Sequence, residues 1–355
     1  MKIKNIELIN FRNYEKEQIT LNPKINIFHG DNAQGKTNIL ESIFLCSIGK
    51  SFRTNKEKEL IQFNKEFTSI IIEYEKKDRE GKIKYDISDK KNIAINGIKI
   101  KKLSELLGNI HTVIFTPDDI HILKNGPAAR RKFLDMFIGQ LRPNYIYYIN
   151  LYLKTLEQRN NYIKQIKFEN KKEELLEIWD EKLNEYAIRI YEYRKEFIQK
   201  LIPKINAIHR GITEGKEEID MQYQSDLENN FLKLLQKDRK LDIIRGYTGK
   251  GIHKDDFSIT INGKLVNIYG SQGQHRTVML SLKMAELEVI HDEIGEYPVL
   301  LLDDFMSELD EKRRKNFLQN IKNTQVIITC TEDIKIETLE STHFYVQKGK
   351  IQQEV

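Results

Sequence analysis

The chain has 355 residues, 39% hydrophobic and 31% charged, so it can bury a large core and favours two lobes over one. A net charge of +5 does not by itself indicate nucleic-acid binding. Cys46 and Cys330 are too few for a disulfide framework. With neither a secretory leader nor an apolar run long enough to span a membrane, the sequence predicts a cytoplasmic protein.

The N-terminal segment predicts antiparallel strands. Apolar and polar residues alternate over residues 2–8 and return at 19–21, which indicates a hairpin ahead of a buried strand at residues 25–28. Alternation resumes between residues 67 and 100, where Asn96-Gly97 predicts a tight turn.

The strand at residues 25–28 leads into a phosphate-loop motif, G-x-x-x-x-G-K-[ST], before a helix-like pattern. It consists of Gly30-Asp31-Asn32-Ala33-Gln34-Gly35-Lys36-Thr37. Gly30 and Gly35 let the backbone approach phosphate oxygens, Lys36 would reach the β- and γ-phosphates, and Thr37 would offer its hydroxyl to Mg²⁺. The alternative is a chance glycine-rich turn, but the strand, loop and helix context favours a nucleoside triphosphate site.

The pattern becomes helical after residues 113–119, where a strand ends in a proline turn. Apolar residues recur at threes and fours to about residue 204, Pro127 suits a first helical turn, and Pro203 is expected to end the last helix. The charge-rich segment 168–174 predicts a linker or helix-hairpin loop. A short coiled-coil arm is one interpretation of this apolar periodicity, but its length of fewer than five heptads favours a packed helical lobe.

Residues 205–265 predict mixed polar strands and turns, followed by a polar segment that precedes another helical pattern. The polar segment is Ser271-Gln272-Gly273-Gln274. A serine and a glycine at a helix N-terminus form an anion-binding surface, although Ser271 also suits a simple N-cap.

A continuously apolar run at residues 297–302 ends in Asp303 and Asp304 and predicts a buried parallel strand. Beside a phosphate loop, Asp303 would hold Mg²⁺ through water, and Asp304 would orient or deprotonate the attacking water. The other interpretation is a plain strand end. Ser307-Glu308-Leu309-Asp310 follows, and residues 326–331 predict one more buried strand.

The phosphate loop, S-Q-G-Q, L-L-L-D-D and S-E-L-D, in this order, resemble the SMC-like group of ABC-type ATPases. Five further stretches narrow the resemblance to the RecF family of bacterial recombination mediators, over essentially the whole chain. They are residues 10–14, 50–54, 115–119, 126–135 and 251–256. The chain departs from the wider ABC pattern in having Thr331 where a histidine is expected and no clear Q-loop glutamine near Thr116.

The resemblance implies an α/β fold, an ABC/SMC-like ATPase head with a mixed sheet around the phosphate-loop helix, antiparallel strands and an inserted, mainly helical second lobe. The expected domains are residues 1–115 (ATPase lobe with Walker A), 116–204 (helical lobe) and 205–355 (ATPase lobe with signature, Walker B and D-loop).

The expected site follows from the same motifs. The catalytic candidates are Lys36, Asp303, Asp304 and Ser271, and Thr37 and Asp303 are the Mg²⁺ ligands. ATP contacts are expected from the phosphate loop, from Asn38, and from the signature residues Gln272, Gly273 and Gln274. The resemblance adds Arg12, Asn13 and Arg53, with a surface salt bridge as the alternative for both arginines.

The resemblance also implies a function. A homodimer would close head to tail on ATP and Mg²⁺ and act as a weak, DNA-stimulated ATPase switch. It would bind single- and double-stranded DNA at gaps or junctions and, with RecR and RecO, help load RecA onto strands coated by single-strand-binding protein. The alternatives are a nuclease or helicase subunit and an ATP-binding scaffold without turnover.

Three basic clusters are candidates for DNA contact through phosphates. They are Arg130, Arg131 and Lys132; Lys99, Lys101 and Lys102; and Lys312, Arg313, Arg314 and Lys315.

Overall fold

A computed structural model describes residues 1–77, 79–169, 171–228, 230–304, 317, 321, 323–333 and 340–354. The chain divides into two compact units: residues 1–119 with 279–355, and residues 120–278. Within the described residues, no helix combines the length and hydrophobicity that a membrane crossing requires. The Ser307–Asp310 segment and the basic cluster at residues 312–315 lie outside the described residues.

The strands are β1 (Lys2–Phe11), β2 (Tyr14–Thr20), β3 (Ile25–His29), β4 (Thr68–Lys76), β5 (Arg79–Ile87), β6 (Lys91–Ile95), β7 (Ile98–Lys99), β8 (Thr112–Phe115), β9 (Ile219–Gln224), β10 (Asp256–Ile261), β11 (Lys264–Leu265), β12 (Val299–Asp303), β13 (Val326–Cys330), β14 (Ser341–Gln347) and β15 (Lys350–Gln353). The helices are α1 (Lys36–Ile48), α2 (Ile120–Lys124), α3 (Pro127–Leu141), α4 (Pro143–Glu169), α5 (Leu176–Ile212), α6 (Phe231–Arg245), α7 (Val266–Tyr269) and α8 (Gln272–Ile294).

The described residues of the first unit form two sheets. Its described antiparallel strands follow the order β2-β1-β4-β5-β6-β7, and the predicted turn at Asn96-Gly97 joins the last two. The second sheet has the order β15-β14-β3-β13-β12-β8, in which every pair is parallel except β14 with β15. Every residue of β3, β12 and β13 is buried, which is typical of parallel strands covered on both faces. The α/β class and the buried strands are as predicted.

The second unit is mainly helical and adds a small sheet of order β11-β10-β9. Its longest helix, α5, packs against α3, α4, α6 and β9, so it belongs to a packed lobe and does not project as an arm. The unit also includes residues 205–278, beyond the helical segment 116–204; the three domain boundaries expected from the sequence stay a prediction.

Two expectations about this unit were wrong. Pro203 lies inside α5 and does not end it. Leu201 before the proline and Ile205 after it are fully buried, and their packing offsets the hydrogen bond that proline removes. Helix α6 lies where strands and turns were expected. Its few buried residues give a weak apolar period, and the usable signals were its caps, Asn230 and Gly246.

The basic cluster Arg130–Lys132 is not a free surface for DNA. Arg130 is only 8% exposed and donates to both carboxylate oxygens of Asp256, at 2.5 and 2.9 Å. Arg131 donates to the backbone oxygen of Asp255, and burial lowers its guanidinium pKa. These arginines hold α3 against β10, which leaves Lys132 as the exposed member.

Arg159 on α4 is fully buried and holds three elements of this unit together. It donates to Asp180 on α5, to Asp242 on α6 and to Thr248, each at 2.7 Å. Removing one partner leaves the charges of the others unpaired in a low-dielectric interior, so such ion pairs are costly to break.

We expect Arg159→Met to lower the free energy of unfolding of this unit by about 3–5 kcal/mol. Trp179, the single tryptophan of the chain, stacks on Tyr162 and reports unfolding of the unit by its fluorescence in a denaturant titration. The matched control is Arg189→Met, which breaks the exposed pair with Glu192 and should cost no more than about 0.5 kcal/mol. Similar losses for the two variants would contradict the prediction.

His253 should make the stability of this unit depend on pH. Its Nδ1 accepts from the Tyr152 hydroxyl and its Nε2–H donates to the Thr248 backbone oxygen, and burial lowers the pKa of this imidazole to about 4 from 6.5. Between pH 4 and 6.5 only the unfolded chain binds the proton. The contribution of neutral His253 to the free energy of unfolding is therefore complete above pH 6.5 and is lost as the pH falls through 4.

His253→Gln should therefore make the free energy of unfolding of this unit depend less steeply on pH between 6.5 and 4, by at most about 1.4 kcal/mol per pH unit. Unfolding followed by Trp179 fluorescence at several pH values measures it, and the exposed His121→Gln is the control. Parallel curves for wild type and His253→Gln would contradict it.

Candidate nucleotide-binding site

The phosphate loop connects the buried strand β3 to α1, in the predicted arrangement. Gly30 and Gly35 have φ of 136° and 119°, a region that side chains disfavour. A side chain at Gly35 would also meet the Asn13 amide at 2.6 Å and the Tyr14 hydroxyl at 2.9 Å. The glycines are therefore required for the turn that leaves the N-terminus of α1 open to an anion.

Lys36, the first residue of α1, is only 6% exposed and folds back over the loop. Its Nζ donates to the backbone oxygens of Gly30 at 2.5 Å and Asp31 at 2.8 Å. The first turn of α1 carries no acidic residue. One cation and a helix N-terminus thus share the same loop, an arrangement suited to phosphate oxygens.

Thr37 and Asp303, the two expected Mg²⁺ ligands, lie side by side. The Thr37 hydroxyl donates to the Asp303 carboxylate at 2.8 Å, and so does the hydroxyl of Thr329 on β13, also at 2.8 Å. Two hard oxygens at the open end of the sheet fit an ion that keeps several of its waters. Thr329 was missed because a threonine inside an apolar strand carries no motif.

Asp304 follows β12 in a left-handed conformation, with φ of 48°. Its backbone N–H donates to the Thr329 backbone oxygen at 3.1 Å. Burial raises the pKa of its carboxyl group, the charge of Asp303 raises it further, and Lys36 opposes both. A carboxylate made more basic in this way suits an acceptor for a proton from water.

Asn13 connects the β1–β2 turn to the phosphate loop and to α1. Its Nδ2 donates to the Gln34 backbone oxygen at 2.6 Å, and its Oδ1 accepts from Asn38 at 2.8 Å. Asn38 in turn accepts from Arg53 at 2.7 Å. The structure thus brings Asn13, Asn38 and Arg53 into one hydrogen-bonded chain beside the phosphate loop.

Glu41 on α1 is a second residue that sequence reasoning missed. It is fully buried and accepts from Arg12 through both oxygens, at 2.9 and 2.7 Å. Ser51 donates to it at 2.5 Å and Arg53 at 3.4 Å. Both candidate arginines therefore form salt bridges with one carboxylate, but that carboxylate is buried, whereas the alternative interpretation was a surface salt bridge; their contact with a nucleotide stays a prediction.

The signature segment begins α8. The Ser271 hydroxyl accepts from the Gln274 backbone N–H at 3.2 Å, and the Gln274 side chain accepts from the Ser271 N–H at 2.9 Å. This reciprocal pair is a capping box, so the N-cap role of Ser271 is present. The Gln272 and Gly273 residues are exposed. Capture of a phosphate by this segment stays a prediction.

Comparison with known proteins identifies the family. The family model described as the RecF/RecN/SMC N-terminal domain matches residues 2–352. The DNA replication and repair protein RecF of Clostridium perfringens is 45% identical over 99% of this chain and 100% of its own length, and that of Clostridium novyi is 43% identical with the same coverage. The chain belongs to the RecF family.

Solved structures agree with this assignment. The structure of the recombination mediator protein RecF with ATP, in the RecFOR pathway, superposes with a TM-score of 0.93 at 39% identity, covering 100% of this chain and 98% of that one. An SMC head domain from Pyrococcus furiosus, at 18% identity and a TM-score of 0.58, covers 99% of this chain and 96% of its own; it shows the fold alone. The predicted family and the ABC/SMC-like head are confirmed.

Glu41 gives a testable consequence for this RecF-family chain. Ser51 Oγ accepts from the backbone N–H groups of Arg53 and Thr54 while it donates to Glu41. We expect Glu41→Gln to loosen this turn and to speed amide exchange of Arg53 and Thr54 by about ten-fold or more, because the charge-assisted acceptor is lost.

Hydrogen exchange of the two amides measures the effect. Glu73→Gln on β4, which removes the exposed pair with Lys82 on β5, is the control and should leave them unchanged. Unchanged protection in Glu41→Gln would show that the turn does not depend on the buried carboxylate.

Proposed function

We propose that this chain is an ATP-dependent recombination mediator of DNA replication and repair. The observation that carries the proposal is the 2.8 Å hydrogen bond between Thr37 of the phosphate loop and Asp303 of β12, which joins the two halves of a nucleotide site. The relatives, which are DNA replication and repair proteins, and the similar structure of RecF with ATP support it.

ATP would bind with its phosphates over the N-terminus of α1. Lys36 would exchange its two backbone acceptors for the β- and γ-phosphate oxygens, and Thr37 and Asp303 would hold Mg²⁺, Asp303 through water. Mg²⁺ would offset the phosphate charge. Asp304, whose raised pKa suits a base, would orient or deprotonate the attacking water.

The switch would depend on a second copy of the chain. Ser271 and Gly273 lie in the second unit, on a segment separate from the phosphate loop, so they suit completion of the partner's site from across an interface. ATP would join two copies head to tail, and slow hydrolysis stimulated by DNA would release them.

The proposed DNA and protein partners follow from the RecFOR pathway of the similar RecF structures. We propose binding to single- and double-stranded DNA at gaps or junctions, and action with RecR and RecO to load RecA. Lys99, Lys101 and Lys102 are exposed and remain the candidate phosphate contacts among the described clusters.

Light scattering tests the composite site. Wild type should double its molar mass with a slowly hydrolysed ATP analogue but not with ADP or without nucleotide. Lys36→Ala should abolish the doubling because it removes phosphate binding. Ser271→Ala should also abolish it, because it removes the hydroxyl that would contact the phosphate bound by the partner copy. Lys132→Ala, an exposed lysine, is the control.

A mixture of Lys36→Ala and Ser271→Ala should recover dimer, since a mixed pair holds one intact site built from Lys36 of one copy and Ser271 of the other. A wild-type mass that never responds to nucleotide would refute the head-to-tail switch for the isolated chain. If the molar mass of Ser271→Ala still doubles, the signature segment has no part in the head-to-tail switch.

A further inference from the structure

The hairpin formed by β14 and β15 lies against the phosphate loop, although nearly the whole chain separates them in sequence. Strand β14 pairs with β3 in parallel register, with Tyr345 opposite His29. A side chain at Gly30 would meet the Val346 backbone oxygen at 2.5 Å. The hairpin thus closes the side of the loop at its first glycine.

The turn of this hairpin reaches the middle of the loop. The Lys348 backbone N–H donates to Gln34 Oε1 at 2.7 Å, and the Gly349 N–H donates to the Gln34 backbone oxygen at 3.2 Å. Asn13 Nδ2 also donates to that same oxygen, at 2.6 Å. Gln34 is therefore bound by backbone and side chain between two turns.

No space remains between these two turns. Gly349 has φ of +70°, and a Cβ on it would overlap the Asn13 backbone oxygen. The other strand of the hairpin is fixed by Glu17 on β2, which accepts from Lys350 Nζ at 2.9 Å and from the Ile351 N–H at 3.3 Å. The hairpin turn is thus held at both ends, by β2 and by the loop.

We propose that the turn Lys348-Gly349 is a positioning element of the nucleotide site, which fixes Gln34 and through it the shape of the phosphate loop. The inference rests on the proposed ATP binding and adds two residues to it. The contacts described above join the turn to Gln34 and Asn13, and none of them involves Asp303 or Asp304, so the turn acts on binding and leaves the hydrolytic step to these two carboxylates. Displacement of Gly349 would change the direction of the backbone N–H groups that receive the phosphates.

The test compares two glycine substitutions in the same unit. Gly349→Ala introduces a Cβ at positive φ into a filled space. Gly97→Ala introduces one at φ of +82° in the β6–β7 turn, where nothing lies within 4 Å. Both carry the backbone penalty of a left-handed alanine, so the comparison isolates the contact of the new Cβ with Asn13, the residue that donates to Gln34.

We expect Gly349→Ala to raise the KM for ATP by about ten-fold or more with kcat within about two-fold, and Gly97→Ala to leave both unchanged. Without nucleotide Gly349→Ala should melt at a lower temperature than Gly97→Ala, because its Cβ overlaps the Asn13 backbone, and the rise in Tm at a fixed ATP concentration should be smaller than in wild type for Gly349→Ala alone. Equal KM values for the two variants would overturn the proposal.

A second variant keeps the test decisive if Gly349→Ala does not fold. Gln34→Ala removes the acceptor of the Lys348 N–H and should raise KM by a smaller factor. An unchanged KM in Gln34→Ala would overturn the proposal. Where Gly349→Ala folds, the two effects should not add in the double variant, because both act through one contact, and simple additivity would also overturn the proposal. Lys36→Ala distinguishes failure of this proposal from failure of the proposed function. If wild type binds ATP no better than Lys36→Ala, the proposed function itself is refuted.

Discussion

The parallel register of β3, β13 and β12 determines the nucleotide site. His29 at the end of β3 pairs with Cys330, and Thr329 pairs with Asp303, so the phosphate loop and the acidic end of β12 leave the sheet at the same edge. Two strand spacings separate β3 from β12, about 10 Å, which the first turn of α1 bridges through Thr37. The two motifs, more than 250 residues apart in sequence, meet because the strands between them are parallel and buried.

Helix α1 carries two buried charged residues, Lys36 and Glu41. Lys36 faces the loop, whereas Glu41, one and a half turns further along the helix, faces Arg12 and Arg53. A fully buried carboxylate is unfavourable alone, and two guanidinium groups with a hydroxyl satisfy it here. The result is a row of cations and amides along one side of the phosphate loop, held in place by a carboxylate that has no access to solvent.

Motifs made one half of the site predictable and left the other half hidden. Gly30, Lys36, Thr37 and Asp303 stand at spacings that phosphate chemistry imposes, so the sequence predicts their roles and the structure brings them together. Glu41, Thr329 and Gly349 act through contacts between distant segments, and nothing near them in sequence indicates those contacts. Composition also misleads where charge is buried: Arg130 looks like part of a basic surface but serves as an internal ion pair.

The fold was predictable where the hydrophobic period is strong and less so where packing overrides local preference. Strands β3, β12 and β13 are short apolar runs that can only be buried, and the sequence predicts all three. Pro203 is a local signal to stop a helix, yet α5 continues for nine more residues, to Ile212, because the residues on either side of the proline are buried in the lobe. The cost of one lost hydrogen bond, about 3 kcal/mol for a proline in a helix, is smaller than that of exposing the two apolar side chains beside it, about 1.5–3 kcal/mol each, together with the turn that follows.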